Sequence, residues 1–364
     1  MKIQDITSLL EKLAPPSLQE DYDNAGLLTG SKDWECTGVL VCLDATDAVV
    51  QEAIEKNCNL IVAHHPIIFK GLKKINGKNY VEQAVIRAIK NDIALFAIHT
   101  NLDNVIGGVN GKIADKLGLT NRKVLLPKMQ QLQKLAVFVP ATHHAAVEEE
   151  LFAAGAGNIG NYSECGFSVN GTGNFKPGEG SQPFSGTIGH RHTENEIKLE
   201  VLFPVWLKDR IIKAMLDAHP YEEVAFDIYA LENRYDQVGS GMVGELASPV
   251  DEKLFLASLS EIFGIPCIRH TALRGRPVKK VAVCGGAGSF LTFAAKAAGA
   301  DIYVSSDIKY HEFFDADGRL VIADIGHYES EQYTMDLLFD ILSDKFTTFA
   351  VLKTGVITNP VQYF

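Results

Sequence analysis

The sequence predicts an α/β protein in which two similar α/β lobes form one domain, interrupted by an inserted α+β domain. Short apolar strands alternate with amphipathic helices near both ends of the chain, which is typical of a parallel sheet covered by helices. Between these regions the pattern changes to alternating strands around a Gly-, Ser- and Asn-rich passage. A chain of 364 residues also exceeds one ordinary core. We expect the lobes at residues 1–127 and 236–364 and the inserted domain at residues 128–235.

The first lobe is predicted to open with a helix and to continue as strand–helix repeats. Apolar residues recur at helical spacing over residues 3–14, and Pro15 and Pro16 end that helix. Asp23, Asn24 and Gly26 are typical of a turn. The pattern then predicts strands over residues 39–43, 60–63 and 93–98 and helices over residues 46–57 and 80–91.

The middle of the chain has a different order. It predicts strands over residues 132–139, 197–203 and 224–231, with helices over residues 145–154 and 208–218. This order resembles the β-α-β-β-α-β ferredoxin-like sandwich. We therefore expect an inserted ferredoxin-like α+β domain.

The last third returns to the α/β pattern. It predicts strands over residues 278–283, 302–304, 320–325 and 349–352 and helices over residues 290–298 and 328–343. Polar residues follow these strands, as they follow the strands of the first lobe. The second lobe therefore repeats the pattern of the first without repeating its residues.

Two consecutive histidines end the second predicted strand. His64 and His65 precede Pro66, which lacks a backbone N–H and favours an extended residue before it. They are therefore expected at the carboxyl edge of a sheet, where α/β proteins bind ligands. A pair of histidines alone is more typical of surface or hydrogen-bonded core residues, so the assignment depends on the rest of this edge.

Further imidazole and carboxylate groups are predicted at the same edge. His327 and Glu331 lie four residues apart at a helix start and so share one helix face, although an acidic first turn is also common without a metal. Three imidazoles and two carboxylates are too many for one four-coordinate ion and suit two ions that activate a water. Zn, Fe, Mn, Co and Ni all accept such ligands. The candidate metal ligands are His64, His65, Asp103, His327 and Glu331.

Several segments resemble the signature blocks of the Nif-three-like family, also known as GTP cyclohydrolase 1 type 2 homologues. They cover both lobes in order: residues 22–27, 63–66, 99–103, 306–311 and 326–331. The middle of the chain resembles the inserted P-II/CutA-like domain of the long bacterial members. The resemblance implies a dinuclear metal centre at the five candidate ligands and a toroidal homohexamer.

Other polar residues at this edge have two interpretations. His99 suits either proton transfer and support of the ligands or a structural hydrogen bond. Asp307, Lys309 and His311 suit substrate orientation or ligand support. The Gly285–Ser289 segment is more typical of a tight turn than of a phosphate loop, because it lacks the Walker and Gly-x-Gly-x-x-Gly motifs.

The composition indicates which classes of partner are excluded and which cellular compartment is expected. The net charge of −11 argues against nucleic acid and anionic membranes as nonspecific partners. Six scattered cysteines form no Cys-x-x-Cys pair, and Cys42 and Cys284 are expected as buried free thiols. There is no signal-peptide pattern and no apolar run of about 20 residues, so we expect a cytoplasmic protein.

Two function classes remain open. One is a metal-dependent hydrolase acting on a nucleotide or a phosphorylated small molecule; the family resemblance points to GTP. The other is a non-enzymatic protein that carries metal or senses a metabolite. The same ligands serve both, because an open coordination position is not visible in a sequence.

Overall fold

The computed structural model describes all residues, 1–364, and divides into two compact units. The first unit consists of Met1–Pro127 and Asp236–Phe364, and the second is the continuous segment Lys128–Tyr235. All six cysteines are free, and Cys42 and Cys284 are buried as predicted. None of the helices has the length and apolar character needed to span a membrane.

The first part of the first unit confirms the predicted alternation and adds four elements. The sequence does not predict the strands Gly26–Thr29 and Thr120–Pro127 or the helices Thr100–Asp103 and Val109–Lys116. The elements are α1 (Ile3–Leu13), β1 (Gly26–Thr29), β2 (Val39–Asp44), α2 (Asp47–Glu55), β3 (Leu60–His65), α3 (Tyr80–Lys90), β4 (Ala94–Ala97), α4 (Thr100–Asp103), α5 (Val109–Lys116) and β5 (Thr120–Pro127).

The second unit is a four-stranded antiparallel sheet with two helices. Its elements are β6 (Leu132–Pro140), α6 (His144–Ala153), β7 (Gly166–Phe175), β8 (His192–Pro204), α7 (Lys208–Ala218) and β9 (Phe226–Leu231). The strand order is β7-β8-β6-β9. Apolar side chains such as Val137, Leu199 and Val201 form the core of this unit.

The remainder of the first unit begins with β10 and α8, neither of which the sequence predicts. The predicted helix over residues 328–343 is two helices. Gln332 and Tyr333 lie at the break, where their side chains donate hydrogen bonds to the backbone carbonyls of Phe263 and Ile262. The elements are β10 (Gly239–Val250), α8 (Glu252–Phe263), β11 (Arg269–His270), β12 (Val278–Ala287), α9 (Thr292–Ala297), β13 (Ile302–Ser306), β14 (Val321–Asp324), α10 (His327–Glu331), α11 (Thr334–Lys345) and β15 (Val351–Lys353).

Two mixed sheets organise the first unit. One has the order β1-β4-β3-β2-β15 and the other β11-β14-β13-β12-β10-β5. The central strands β2, β3 and β4 are parallel, as are β12, β13 and β14. The sheets exchange strands along the chain, since β15 pairs with β2 while β5 pairs with β10.

Alternating side chains in the central strands pack in different cores. Val39 and Val41 belong to the same apolar cluster as Ile302 and Val304 of the other sheet. Leu40 instead packs with α2 and α3. Burial on both faces explains why these strands are continuous apolar runs. It also leaves the strand ends as the places where polar side chains are gathered.

Candidate metal centre

Three strand ends of the first unit gather the candidate ligands. β3 ends in His64 and His65. β4 leads into the one-turn helix α4, which ends at Asp103, and β14 leads into α10, which contains both His327 and Glu331. The structure therefore brings all five predicted residues to one place, and it adds His99.

Glu331 lies at the centre of this cluster. Its Oε2 is 2.9 Å from His65 Nε2 and 3.1 Å from His327 Nε2. Its Oε1 is 3.7 Å from His64 Nε2, which is itself 3.7 Å from Asp103 Oδ1. One carboxylate thus joins two groups of three residues. The groups are His65, His327 and Glu331, and His64, Asp103 and Glu331.

Each of the four imidazoles uses Nδ1 for a supporting hydrogen bond and leaves Nε2 for the cluster. His64 Nδ1 lies 2.9 Å from the carbonyl of Ile98, which only accepts, so this nitrogen carries the hydrogen. In the other three rings, Nδ1 lies 2.7 or 2.8 Å from a carboxylate oxygen, which accepts the hydrogen in the same way. Such contacts orient metal-binding histidines and raise their basicity. The pairs are His65–Asp44, His99–Asp23 and His327–Asp307.

Two buried atoms in the cluster lack a hydrogen-bond partner. These are His64 Nε2 and Asp103 Oδ1, which face each other. Buried polar atoms rarely remain unpaired. Three ligand atoms about 2.1 Å from one tetrahedral ion would be about 3.4 Å apart, close to the spacing of both groups. The donor set and the unpaired atoms therefore fit divalent metal ions.

The close approach of charged groups in this cluster shifts their pKa values. Burial opposes a charge on His65, but hydrogen bonds to Asp44 and Glu331 outweigh it and raise the pKa of His65 to about 10. Burial acts against His327 in the same way, and Asp307 and Glu331 raise the pKa of His327 to about 11. Burial and the Glu331 charge raise the pKa of Asp103. These shifts describe a concentrated set of charges that bound cations would reorganise.

His99 is held beside the cluster by an aspartate. Burial tends to raise the pKa of Asp23, but hydrogen bonds from His99 and Thr100 outweigh it and lower that pKa to about 2. The His99 ring centroid is 5.3 Å from the centroids of His64 and His65. This leaves its second nitrogen among the candidate ligand atoms.

One exposed aromatic ring contacts His99, and a second stacks on the first. The Phe69 ring meets the His99 ring edge-on at a centroid distance of 5.9 Å, and Tyr22 stacks on Phe69 at 6.3 Å. Both rings are accessible, with 67% of Tyr22 and 44% of Phe69 exposed. The cluster therefore has an aromatic border on one side.

The glycines of the Gly285–Ser289 segment leave room for Glu331, because they have no side chains. Gly286 has φ +63°, and a Cβ there would lie 2.4 Å from Glu331 Oε1. The N–H groups of Gly285 and Gly286 are occupied by Asn110 and Ser330 side chains, at 3.0 Å each. These glycines thus allow the close approach of Glu331 and do not offer free N–H groups.

The remaining polar residues at this edge have different surroundings. Asp307 supports His327, which is one of its two expected roles. The His311 ring contacts Tyr310 and Phe314 and belongs to none of the candidate metal groups. The backbone N–H of Lys309 donates to Glu312 at a helix start.

The sequence analysis includes ligand support among the roles of Asp307 but assigns no such role to Asp44 or Asp23. Asp44 directly follows the predicted strand over residues 39–43, and Asp23 is expected in a turn within one of the signature segments. For Asp44 a signal exists, because β2 and β3 are parallel neighbours in which Asp44 and His65 are paired in register. For Asp23 the preceding loop gives no such signal, since its partner His99 is 76 residues away.

These features define an α/β protein with two mixed sheets and a candidate metal centre of imidazoles and carboxylates. The sequence matches the family described as Duf34/NIF3 (NGG1p interacting factor 3) over residues 1–360. The chain belongs to this family, which confirms the resemblance seen in the signature segments.

Relatives match the chain over nearly its whole length. Proteins of Halalkalibacterium halodurans and Bacillus subtilis, both named GTP cyclohydrolase 1 type 2 homolog, are 40% identical over 99% of this chain and 98% of their own. A Bacillus cereus protein related to NIF3 has a similar structure, with a TM-score of 0.88 at 37% identity, covering 100% of this chain and 99% of that one. Staphylococcus aureus protein SA1388 has a TM-score of 0.79 at 31% identity over 100% and 99%.

Proposed function

We propose that the cluster binds two divalent metal ions per chain and that the protein is a metal-dependent hydrolase. The single observation that carries the proposal is the position of Glu331, one carboxylate shared by two groups of three candidate ligands. Zn, Fe, Mn, Co and Ni remain candidates. The proposed ligands are His64, His65, Asp103, His327 and Glu331.

The chain's own residues would contribute orientation and proton transfer. Bound divalent ions would supply Lewis acidity and a water of lowered pKa. Asp23 fixes the tautomer of His99, so that His99 Nε2 can accept or return a proton beside the cluster. Asp103 and His327 are partly exposed, at 24% and 40% of their side chains, whereas His64 and Glu331 are buried.

The proposed substrate is a nucleotide or a phosphorylated small molecule. Tyr22 and Phe69 offer exposed aromatic faces on which a base can stack. The names of the relatives point to GTP. In that reaction one water adds at C8 of guanine and cleavage of a C8–N bond opens the imidazole ring to a formamide; a second water hydrolyses the formamide, so that C8 leaves as formate and an amine remains. His99 lies beside the cluster, where it can carry the protons of these steps.

A substrate panel tests this activity. Metal-loaded protein is incubated with GTP, other nucleotides and phosphoesters while formate and phosphate are measured. We expect turnover that falls at least 100-fold in His65→Ala and Asp103→Ala. Turnover that persists in both variants, or no turnover with Zn or Mn, would favour the non-enzymatic metal-carrying or metabolite-sensing alternative.

We also propose that the protein is a homo-oligomer, a hexamer by family resemblance. Exposed aromatic side chains support a subunit interface outside the metal cluster. Tyr310 and Phe314 pack together with ring centroids 5.6 Å apart, and Phe290 and Phe293 are 60% and 63% exposed. Clusters of exposed aromatic side chains often mark interaction surfaces. Sedimentation at micromolar concentration should give six chains, and a monomer would contradict the proposal.

The second unit is proposed to be a separate ferredoxin-like domain. Its β-α-β-β-α-β order and the strand order β7-β8-β6-β9 support this assignment. The closer likeness to P-II/CutA-like domains stays a prediction, as do a cytoplasmic location and the boundaries at residues 127 and 236. Replacing residues 128–235 by a short linker should leave metal binding intact; loss of folding or of metal would show that the segment is integral.

A further inference from the structure

The second unit contains a cavity of about 730 Å³ that belongs to no site described above. The odd-numbered residues of β8, such as Leu199 and Val201, pack in the core with the helices. Because side chains alternate along a strand, Glu196 and Lys198 lie on the opposite face of the sheet. The cavity is on this opposite face, and its volume is within the range of small-molecule sites.

Aromatic side chains form much of the wall. Phe138 lies on the sheet, and a segment spanning residues 176–184 contributes Phe184. The Tyr221 ring is 5.8 Å from the Phe175 ring and 6.0 Å from the Phe184 ring, measured between centroids. The segment is tied down, because Gln182 N donates to Glu222 Oε1 at 2.8 Å. This hydrogen bond joins the segment to Glu222, the residue after Tyr221.

Glu196 supplies an unbalanced negative charge in this cavity. It has no Lys, Arg or His partner, and its one side-chain contact is the hydroxyl of Tyr221, which donates to Oε1 at 3.0 Å. Lys198 also lines the cavity, but its Nζ contacts Glu200 at 2.6 Å and not Glu196; Glu200 is shared with Lys134, at 3.0 Å. Burial and the neighbouring Glu196 raise the pKa of Tyr221, so its hydroxyl remains a hydrogen donor.

The strand next to Glu196 leaves room for its carboxylate. A Cβ at Gly173 would lie 2.0 Å from Glu196 Oε2. Gly171, which pairs with Glu196 in the sheet, also lines the cavity without a side chain. A second acceptor oxygen is therefore available beside aromatic faces.

We infer that this cavity binds a small organic cation with an apolar or aromatic body. A carboxylate attracts an ammonium or guanidinium group, and aromatic faces attract the same cation through their quadrupoles. The other charged side chains of the wall are Lys176, Lys198, Glu222 and Glu223, so that with Glu196 the lining carries three carboxylates and two ammonium groups. The inference does not depend on the metal centre or on its activity.

The test compares ligands of one shape and different charge on the full-length protein. Phenethylamine, 2-phenylethanol and 3-phenylpropionate are titrated by calorimetry and ligand-observed NMR, and tryptamine and tryptophol serve as a larger pair. We expect one site per chain for the amines and affinity about tenfold above that of the alcohols. Equal binding of amine and alcohol, tighter binding of the carboxylate, or no binding of either amine at millimolar concentration would overturn the inference.

Variants separate charge from packing. Glu196→Gln should abolish the preference for amine over alcohol, whereas Glu179→Gln, an exposed carboxylate in the same segment, should retain it. Tyr221→Phe removes the hydroxyl but keeps the Glu196 charge and should also retain the preference. If Tyr221→Phe and Glu196→Gln lose the preference equally, the carboxylate is only a structural partner of the tyrosine and the inference fails.

Discussion

Two strand-to-helix corners of the first unit carry the same pair of groups with different surroundings. His99 and Asp103 follow β4, and His327 and Glu331 follow β14; each histidine precedes its carboxylate by one helical turn. Yet Glu331 is within 3.7 Å of three imidazoles and has 3% of its side chain exposed. Asp103 reaches only His64 and has 24% exposed. The longer, buried carboxylate joins both groups, whereas the shorter one belongs to one.

The largest effect is expected from Glu331→Gln, which tests whether both groups of ligands depend on this carboxylate. Because Glu331 belongs to both groups, its neutral amide should reduce bound metal from about two ions per chain to nearly none. Elemental analysis after dialysis against a metal buffer measures the loss. Glu329→Gln is the matched control, because Glu329 lies in the same helix and contacts Asn359 instead of the cluster. Retention of both ions by the Glu331 variant would contradict the shared role.

Asp103→Asn should have about half this effect. It removes the carboxylate from one group and leaves His65, His327 and Glu331 unchanged, so about one ion per chain should remain. The same metal analysis, with the exposed Asp115→Asn as a control, gives the count. Loss of both ions would mean that the two corners act as one indivisible site.

The corners also show what a sequence can and cannot predict about this fold. Continuous apolar runs identified β2, β3 and β4, because both faces of these strands are buried. β7 was missed because it is an edge strand with almost every residue exposed, and only its pairing with β8 makes it a strand. The exchange of β15 and β5 between sheets was also missed, since pairing across such sequence distances leaves no local pattern.

The candidate metal ligands were easier to predict than the aspartates that orient their imidazoles. Polar residues at the ends of parallel strands meet at one edge, and this rule was sufficient to bring five residues together. The one-turn helix α4 is too short to show a periodicity, yet it places Asp103 one turn beyond His99. Among the aspartates behind the imidazoles, Asp44 is in register with His65, and ligand support is one of the two roles expected of Asp307. The contact of Asp23 with His99 depends on side-chain direction, which neither composition nor spacing encodes.

Metal uptake by the group of His65, His327 and Glu331 should release protons. The pKa values of His65 and His327, raised to about 10 and about 11, mean that both rings hold a proton at neutral pH without metal. Binding through Nε2 displaces it, so we expect about two protons released and an affinity that falls about 100-fold for each unit decrease in pH. Calorimetry in buffers of different protonation enthalpy counts these protons. An affinity independent of pH between 6 and 8 would contradict the raised pKa values.

The smallest expected effect compares the aspartates behind the two corner histidines. The Asp23 side chain is fully buried, whereas 52% of the Asp307 side chain is exposed. Lowering the pKa of Asp23 from 3.8 to about 2 corresponds to about 2 kcal/mol of stability, while an exposed pair such as Asp307–His327 contributes about 0–1 kcal/mol. Asp23→Asn should therefore destabilise the metal-free protein more than Asp307→Asn in urea denaturation with a chelator at pH 7.

The contribution of Asp23 should also depend on pH. Since the pKa of Asp23 is depressed in the folded protein, this contribution is complete above about pH 4 and is lost as the pH falls towards 2. The difference in the free energy of unfolding between wild type and Asp23→Asn should therefore disappear in acid. Equal losses in the two variants at pH 7 would show that burial does not distinguish the corners.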